Sequence, residues 1–432
     1  MVTRSRGKNA QLLLYPETTY GTSPGGNYAK LPFVSATLGE TQNLIASDIL
    51  GFGRDPQDPI QDVVNNDGNV TIPVTLRELG YWLEMLMGAA TSDTQGVAAT
   101  GSYTFSAQPV NNSVITIGGT AVTFVTAAPS GNQIQIGASL AATLANAEVF
   151  LNDSTDTNIK AATYQSDLAN TKINITYGTI GTSGNSFTIV AGSSPATNAT
   201  ASGATLAGGS SSGSYNHVFT TAGTPKSASI ELGLTDQAAD GYGMNYGCML
   251  NTMQVKMQRS GLLTAQLAII AQGESRADSS AGGTPTTQTL ERFTQFSGQL
   301  FVEGTPIGDL ESADFTYSNG IDKIETIRSD GRINGADPDD IGLTGSAVMR
   351  FGDRTLWNAA KSNAPKMLRF GWSIATGKTL TVDVHRVFFP RVQIPIAGPQ
   401  GIRTTFNWQA AKHATLGKTA TITLTNDVAS YP

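Results

Sequence analysis

Two segments match G-x-S-x-G, the pattern around the nucleophilic serine of α/β-hydrolases. They are Gly21–Gly25 and Gly209–Gly213. A nucleophile elbow needs a strand before the serine and a helix after it. Pro24 directly follows the first serine, and the second lies in a stretch of Gly and Ser. We interpret both as chance matches and expect no hydrolase site.

The chain has few residues of the types that bind metals or transfer protons in active sites. The chain holds three histidines, His217, His385 and His413, and one cysteine, Cys248, which excludes an internal disulfide. The zinc-protease, paired-cysteine, phosphate-loop and EF-hand patterns do not occur. The carboxylates of 337–340 could touch a cation, but Asp and Pro are ordinary turn formers. We therefore predict no enzyme, no cofactor and no metal.

Composition narrows the class of protein further. The 432 residues exceed what one hydrophobic core usually serves, so two or three domains are expected. Charged residues make up 14%, and the formal net charge is −6. Phosphate binding depends on clustered Lys and Arg, so an overall basic grip on nucleic acid is excluded. The longest apolar stretch, 79–90, is shorter than the roughly 20 residues of a membrane span, and residues 1–8 lack the apolar region of a secretory signal.

Short alternating runs bounded by Gly, Asn, Asp and Pro dominate the chain, which predicts strands with one buried face. Helical spacing of apolar residues is scarce. The fold class is therefore mainly β with a few single helices. Expected strands include Val70–Val74, Lys172–Tyr177 and Thr419–Leu424, and the expected helices are Leu76–Ala89, Leu140–Ala147 and Asp353–Ser362.

Composition changes sharply near Pro109 and again near Tyr215. Only six charged residues occur among the 108 residues of 107–214. The exit, Gly208–Gly213, has the composition of a flexible linker. We interpret 107–214 as an inserted small β domain. The expected domains are 1–106 and 215–285 for the two parts of the first domain, 107–214 for the insert, and 286–432 for the second domain.

Without the insert, similar segments recur in the same order and predict a duplicated domain. Both copies have a strand, a second strand, a long polar loop, a strand, a helix with a tryptophan, and closing strands. The matched segments are Gln11–Leu14 with Gln299–Val302, Ser35–Leu38 with Ser312–Phe315, the helices of Trp82 and Trp357, and Met253–Met257 with Val392–Ile396. We expect the two tryptophans to occupy equivalent buried positions.

The ordered segments resemble a known family, the phage tail tube proteins. The resemblance is carried by Leu14–Thr22, by Leu31–Leu38 leading to Arg54, by the helix of 79–88, and by Ser229–Leu232. The insert is similar to a decorating domain found in phage virion proteins. That similarity is carried by Phe150–Asn152, Thr176–Phe187 and Ser202–Gly209.

The resemblance implies two repeated β-sandwich domains, each with a flanking helix, whose strands form a barrel between subunits. It also implies a virion protein, made in the bacterial cytoplasm, that forms stacked rings of a hollow tube for genome ejection. A single-copy subunit would need six copies for a ring, so a fused double copy implies a homotrimer with pseudo-sixfold symmetry; a homohexamer is the alternative. Other partners would be the tape measure, terminator and distal tail proteins of a siphovirus, and DNA would pass without specific binding, with no membrane involved.

Two sets of residues are candidates for the site of such a function. The loops Ile49–Gly68 and Arg328–Gly342 hold the same place in the repeat and mix arginine with aspartate, which suits contacts between rings. The inter-ring candidates are Arg54, Asp55, Asp58, Asp62, Arg328, Arg332, Asp337, Asp339 and Asp340. A negative lumen would repel the DNA backbone. The lumen candidates are Glu40, Asp314 and Asp322.

Two alternative functions remain open at this point. One is another tail component, a terminator or baseplate protein, which would cap a tube and not polymerise. The other is an adhesin or glycan-binding β protein, for which exposed aromatic side chains would cluster on loops. The four tryptophans instead fall in strand or helix patterns.

Overall fold

A computed structural model of the chain describes residues 4–352, 354–396 and 398–432. The described residues divide into two compact units. The main unit comprises 4–92 and 216–432, and the inserted unit is Asp93–Tyr215. Within the main unit we call 4–92 with 216–285 the first half and 286–432 the second half.

The chain begins with five strands and a helix whose apolar residues follow the expected periods. Val70 and Ile72 are buried at period two, and Leu79, Leu83 and Leu86 form one buried helix face. The helix ends where Gly88 takes a φ of +89° and donates its N–H to Glu84 O, a conformation that favours glycine. These elements are β1 (Ala10–Pro16), β2 (Ala29–Leu31), β3 (Ser35–Ala36), β4 (Gly39–Ile45), β5 (Ile60–Pro73) and α1 (Leu79–Met87).

The inserted unit has its own core, built from two small sheets and one helix. The helix begins at Ser139, whose hydroxyl accepts from the N–H of Ala142, and it buries Leu144, Ala147 and Leu151. The chain enters through β6 and leaves through β14. The elements are β6 (Thr91–Phe105), β7 (Ser113–Ile117), β8 (Thr120–Val125), β9 (Gln133–Gln135), α2 (Leu140–Asp153), β10 (Ala162–Asp167), β11 (Lys172–Ile180), β12 (Ile189–Ala191), β13 (Ala199–Ala201) and β14 (Ser210–Thr220).

Pairing divides these strands into two groups. Strand β7 lies between β8 and β12, and β9 adds to β8 in parallel. In the other sheet β6 pairs with β11 and β13, and β10 adds to β11. The composition change near residue 107 therefore follows the end of β6, whereas the unit starts inside that strand.

The first half then closes with four strands, of which β16 is the longest. A register shift between Leu250 and Thr252 marks a β-bulge in β16. Up to Cys248, β16 pairs with β15 and β18; from Met249 it pairs with β17, and from Thr252 it lies between β17 and a strand of the second half. The strands are β15 (Ala228–Leu234), β16 (Tyr242–Gln258), β17 (Thr264–Ala271) and β18 (Gly273–Ala277).

The second half has the same kinds of element in a similar order. It contains ten strands and one helix among the described residues. They are β19 (Gly298–Val302), β20 (Thr305–Pro306), β21 (Leu310–Ser318), β22 (Asp322–Ile324), β23 (Gly335–Asp337), β24 (Gly342–Arg350), α3 (Thr355–Ser362), β25 (Lys366–Ala375), β26 (Lys378–Phe388), β27 (Arg403–Ala410) and β28 (Ala420–Asn426).

Strands pair in the same order in both halves. In the first half the antiparallel pairs run β2–β1–β15–β16–β17–β5–β4. In the second half they run β20–β19–β25–β26–β27–β24–β21. One apolar core spans both halves and includes Trp82, Phe315 and Phe370.

The mainly β class predicted from the sequence is confirmed, as are the three helices and the sampled strands. Position 353, the predicted start of the third helix, lies outside the described residues. The linker predicted at Gly208–Gly213 is wrong, because Ser210–Gly213 begins β14: backbone hydrogen bonds do not require apolar side chains. None of the helices in the described ranges has the length and apolar character to span a bilayer.

The expected equivalence of Trp82 and Trp357 is also wrong. Trp82 is 1% exposed, whereas Trp357 is half-buried beneath the cations of Arg354 and Lys361. On the buried face of this helix lie Leu356 and Ala359. The small side chain of Ala359 therefore occupies the position that Trp82 fills in the first half.

Candidate assembly surfaces

The two halves are joined by a seven-residue antiparallel ladder between β16 and β21. It runs from Thr252 opposite Ser318 to Gln258 opposite Ser312. The odd-numbered residues of both strands lie in the core, each less than 5% exposed. They are Met253, Val255 and Met257 on β16 and Ala313, Phe315 and Tyr317 on β21. The joint is thus a continuation of one sheet with its apolar face covered.

Gln295 identifies which backbone groups of β16 form this joint. Its side chain donates to Lys256 O at 2.9 Å and accepts from Gln258 N at 2.8 Å. In an antiparallel strand the N–H and C=O of one residue point to the same side, and successive residues alternate. Since Lys256 and Gln258 face Gln295, Val255 and Met257 direct their backbone groups towards β21.

The joint lies within a longer sheet in which β4 forms one edge and β27 the other; on that outer side of β27 only Gln409 and Ala410 pair, with β26. Its order is β4–β5–β17–β16–β21–β24–β27. At the first end, Thr37 donates its N–H to Asn69 O of β5, so alternation turns the backbone groups of Ala36 and Leu38 away from β5. Towards the other end, the described residues 391–396, which precede β27 in the sequence, belong to no strand and form no backbone–backbone hydrogen bond.

The second arm, which we define as residues 319–341, packs across the joint onto the first half. Ile333 and Ala336 are buried against Met249 and Ile270, and the half-buried Ile321 covers the same cluster. An arm of this length between two strands has to be held by contacts of its own, and this apolar cluster supplies them.

Polar contacts fix the second arm in register. Arg332 Nε donates to Glu40 Oε1 at 2.7 Å, and Lys323 Nζ lies 2.7 Å from Asp67 Oδ2. The bond to Glu40 raises the pKa of Arg332 above its usual value. The Asn319 amide donates at 2.9 Å to both Leu86 O and Leu250 O. It thereby satisfies a carbonyl in the last turn of α1.

The first arm, residues 41–65, differs by exposing its apolar residues. It is formed by the ends of β4 and β5 and the loop between them. Seven large apolar side chains of this arm are at least 45% exposed: Leu44, Ile45, Ile49, Leu50, Phe52, Ile60 and Val63. Single exposed apolar residues are common on soluble proteins, but seven within one arm are typical of an interaction site.

The inter-ring candidates divide between the two arms. Arg54, Asp55 and Asp58 are exposed near the tip of the first arm, and Asp62 is half-buried with its main-chain carbonyl accepting from Gln42. In the second arm and its exit, Asp337, Asp339 and Asp340 are exposed.

Both candidate arginines of the second arm are engaged within the chain. Arg328 donates to both carboxylate oxygens of Asp330 at 2.9 Å, and this bond lowers the pKa of that carboxyl well below its usual range. Arg332 pairs with Glu40, as described. The structure therefore brings an inter-ring candidate and a lumen candidate into one ion pair.

The three lumen candidates lie in different surroundings. Glu40 accepts from Arg332 and from the N–H of Glu274. Asp314 is half-buried on β21 and accepts from the Ser346 hydroxyl at 2.9 Å. Asp322 is exposed and stands opposite Asp337 in the β22–β23 pair. The structure does not bring them together.

The segments considered for catalysis have structural roles. The exposed Ser23 accepts through its hydroxyl from the Ser229 hydroxyl at 3.1 Å, and the second G-x-S-x-G segment falls in β14. His217 is buried between Ser92 and Asn426. Within the described ranges no three His, Cys, Asp or Glu side chains are grouped to hold a metal.

The exposed first arm and the unpaired segment 391–396 are features that sequence reasoning missed. The alternation Val392-Gln393-Ile394-Pro395-Ile396 does predict a strand, but no pattern shows that its partner is lacking. The internal match of this segment to Met253–Met257 was the signal that could have located it.

Comparison with known proteins places the whole arrangement in one family. A sequence model described as "Phage tail tube protein" matches residues 7–410, which comprise the first half from residue 7, the inserted unit and the second half up to residue 410. A search of curated proteins finds no match. The family match confirms the resemblance read from the sequence.

Proposed function

Because the chain belongs to the phage tail tube protein family, and is therefore a structural component of the virion tail, we propose that three copies form a ring and that stacked rings form the hollow conduit for genome ejection. The carrying observation is the ladder between β16 and β21, which already joins two similar halves edge to edge inside one chain. A sheet with unpaired residues at both edges extends by adding further copies.

Matching registers support the duplication on which this ring depends. In the first half Ala36 stands opposite Val70, which stands opposite Leu267. In the second half Ala313 stands opposite Ala347, which stands opposite Phe406. For the strands before the helix, equivalent residues of the two halves are therefore 277 positions apart in the sequence (347 − 70 = 277). For the strands after the insertion, equivalent residues are 139 positions apart (406 − 267 = 139). The same offsets relate Met249 opposite Ile270 to Phe388 opposite Gln409.

Two such halves per chain favour three copies over six. If each half occupies one of six similar positions, three chains complete the circle with pseudo-sixfold symmetry. Closing the sheet on itself pairs both edges, which would otherwise be sites of uncontrolled aggregation.

We assign the contacts between stacked rings to the exposed tips of the loops Ile49–Gly68 and Arg328–Gly342. Arg54, Asp55 and Asp58 form no ion pair among the described residues and are exposed. Each exposed pair adds only about 0–1 kcal/mol, but repetition around a ring sums such contacts. Asp337, Asp339 and Asp340 are the corresponding exposed acids of the second loop.

The remaining assignments follow from the net charge of −6 and the family. A lumen lined by more carboxylates than Lys or Arg, with Glu40, Asp314 and Asp322 as candidates, would let DNA pass without specific binding. The tube would end on the tape measure, terminator and distal tail proteins of a siphovirus tail. The inserted unit would be a decoration that assembly does not require.

Native mass measurement and negative-stain microscopy of concentrated protein test this function. We expect closed trimers and hollow tubes. A charge-reversal variant, Arg54→Glu with Asp55→Lys and Asp58→Lys, should retain trimers but form few tubes. Protein that stays monomeric at all concentrations would refute the ring, and normal tubes from the variant would refute the stacking assignment.

A further inference from the structure

We propose that residues 391–396 of one copy pair antiparallel with residues 36–41 of the next copy, with Ile394 opposite Leu38 and Ile396 opposite Ala36. The second copy of this chain is the partner, and the ladder is the joint that closes the ring. This inference rests on the proposed ring and assigns its contact residue by residue.

The register follows from the joint inside the chain. There Val255 stands opposite Phe315 and Met257 opposite Ala313. Adding 139 to the β16 positions gives 394 and 396, and subtracting 277 from the β21 positions gives 38 and 36. The offsets come from other strand pairs, so the predicted register is not fitted to the segments that it joins.

Residues 391–396 have the apolar residue types that such a ladder requires. Val392, Ile394 and Ile396 correspond to Met253, Val255 and Met257, all apolar. Met257 is 4% exposed, whereas Ile396 is 80% exposed. Val392 packs against the core, whereas the end of the segment at Ile396 lacks in an isolated chain the cover that Met257 has.

Pro395 is compatible with this ladder because of its position. Proline lacks the backbone N–H and is confined to places where no ladder bond is needed. Its counterpart Lys256 directs its backbone groups towards Gln295, away from β21. The missing N–H therefore falls on the side away from the neighbouring copy.

The receiving edge offers backbone groups and a groove. Ala36 and Leu38 turn their N–H and C=O away from β5, as shown above. A groove of about 360 Å³ runs beside them and is lined by residues that include Gln11, Phe33 and Ser35. Its counterpart in the second half is lined by Gln299, Leu310 and Ser312, together with Met257 itself. The residue equivalent to Met257 is Ile396, which would enter the groove from the next copy.

The same residue offsets also predict what covers the exposed first arm. Leu44 corresponds to Ile321 of the second arm; Leu44 is 64% exposed, whereas Ile321 is half-buried. Ile321 covers Met249 and Ile270, whose counterparts are Phe388 and Gln409. Those two residues line an open pocket of about 310 Å³ with Phe389 and Trp408. The first arm would thus pack on the preceding copy as the second arm packs within the chain.

The two kinds of joint differ in charge. The ion pairs of the second arm have no counterparts, since Lys323 corresponds to Ala46 and Asp67 to Thr344. The joint between copies is accordingly more apolar than the joint inside the chain, which agrees with the exposed apolar residues of the first arm.

Engineered cysteines test the register directly. Thr37 and Pro395 stand opposite each other in the proposed ladder at a position without backbone bonds between the strands, where Cα atoms come within about 4.5 Å and a disulfide fits. The single native cysteine, Cys248, is buried and should not interfere. The double variant Thr37→Cys/Pro395→Cys should oxidise to a covalent closed trimer on a non-reducing gel.

Mixing and register controls make the result specific. Protein carrying only Thr37→Cys mixed with protein carrying only Pro395→Cys should stop at covalent dimers, because the contact is head to tail. The pair Lys256→Cys/Asp314→Cys should close within one chain. The shifted pair Thr37→Cys/Gln393→Cys should cross-link at least tenfold more slowly than Thr37→Cys/Pro395→Cys.

A disruption experiment uses the exposed end of the ladder, at Ile396. Ile396→Asp should abolish rings in chains whose thermal unfolding is unchanged, whereas Gln393→Asp, on the opposite face, should assemble normally. Wild-type tubes together with an unreactive Thr37–Pro395 pair, or with normal assembly of Ile396→Asp, would overturn the register and leave the proposed function standing. Wild-type protein that never assembles would overturn both.

Discussion

The Arg332 guanidinium donates to the Glu40 carboxylate at 2.7 Å, and the two residues stand 292 positions apart in the sequence. Both side chains are about a quarter exposed. The contact joins the second arm to the edge of the first half next to Leu38. It therefore holds one half of the subunit against the other at the surface that we assign to assembly.

Loss of this pair should loosen the arm more than it destabilises the subunit. We expect Arg332→Ala to lower the free energy of unfolding by about 1 kcal/mol. Hydrogen exchange at the amide of Val64, which donates to Gly331 O, should become faster. Arg328→Ala is the matched control, since Arg328 bonds only within the arm; equal exchange rates at Val64 in the two variants would contradict the role of Arg332.

The two helix tryptophans should respond differently to truncation. Trp82→Ala removes a fully buried side chain and should cost about 3–5 kcal/mol of unfolding free energy. Trp357→Ala removes a half-buried ring and should cost less than half as much. Denaturant unfolding of both variants checks this, and similar losses would show that the environment of Trp357 is as well packed as that of Trp82.

Acidification should weaken the main unit through His217. Its Nε2–H donates to Val428 O at 2.8 Å, since a carbonyl can only accept, and its Nδ1 lies 2.8 Å from the Ser92 hydroxyl, which donates to it when the ring is neutral. Burial lowers the pKa of His217 below its usual 6.5. The stability that this group contributes is present above about pH 6.5 and is lost as the pH falls through the lower folded-state pKa.

The measurement is the melting temperature of wild type and His217→Gln between pH 7.5 and 5. We expect the variant to be less stable at pH 7.5 and to lose less stability on acidification. Parallel pH profiles for the two proteins would mean that another group controls the response.

The inserted unit should be removable. The main core contains no residue of Asp93–Tyr215. Inside the unit the two passing strands come together, because a Cβ on Gly96 would lie 2.0 Å from Ser210 O. Replacing 97–209 by a Gly-Ser-Gly link should leave a folded main unit that still forms tubes in negative stain. An unfolded product, or rings without tubes, would show that the unit supports the main fold or the stacking.

The structural features that depend on local periodicity could be predicted from the sequence. The buried stripe of Leu79, Leu83 and Leu86 and the alternation of β5 follow directly from spacing, and so does the mainly β class. The internal match of 253–257 with 392–396 is equally a sequence property. Its offset of 139 recurs in the strand registers.

The features that could not be predicted depend on contacts between residues that are distant in the sequence. The ion pair of Arg332 with Glu40 could not be predicted from the sequence, because it forms only where β21 brings the second arm across β16. Ser210–Gly213 looked like a linker, since serine and glycine give no alternation, but its backbone pairs as part of β14. Trp357 matched Trp82 by residue type, whereas helix phase decides which side chain is buried.

The ladder between β16 and β21 also changes how assembly depends on concentration. The chain from Gln258 to Ser312 tethers the two partners of that joint, so they meet at a high effective concentration however dilute the protein is. In a ring of three copies, every second joint is therefore formed during folding and never awaits collision. Ring nucleation would scale with the third power of subunit concentration, where six separate domains would require the sixth. Gene fusion in this chain would thus lower the amount of protein that must accumulate before the first ring closes.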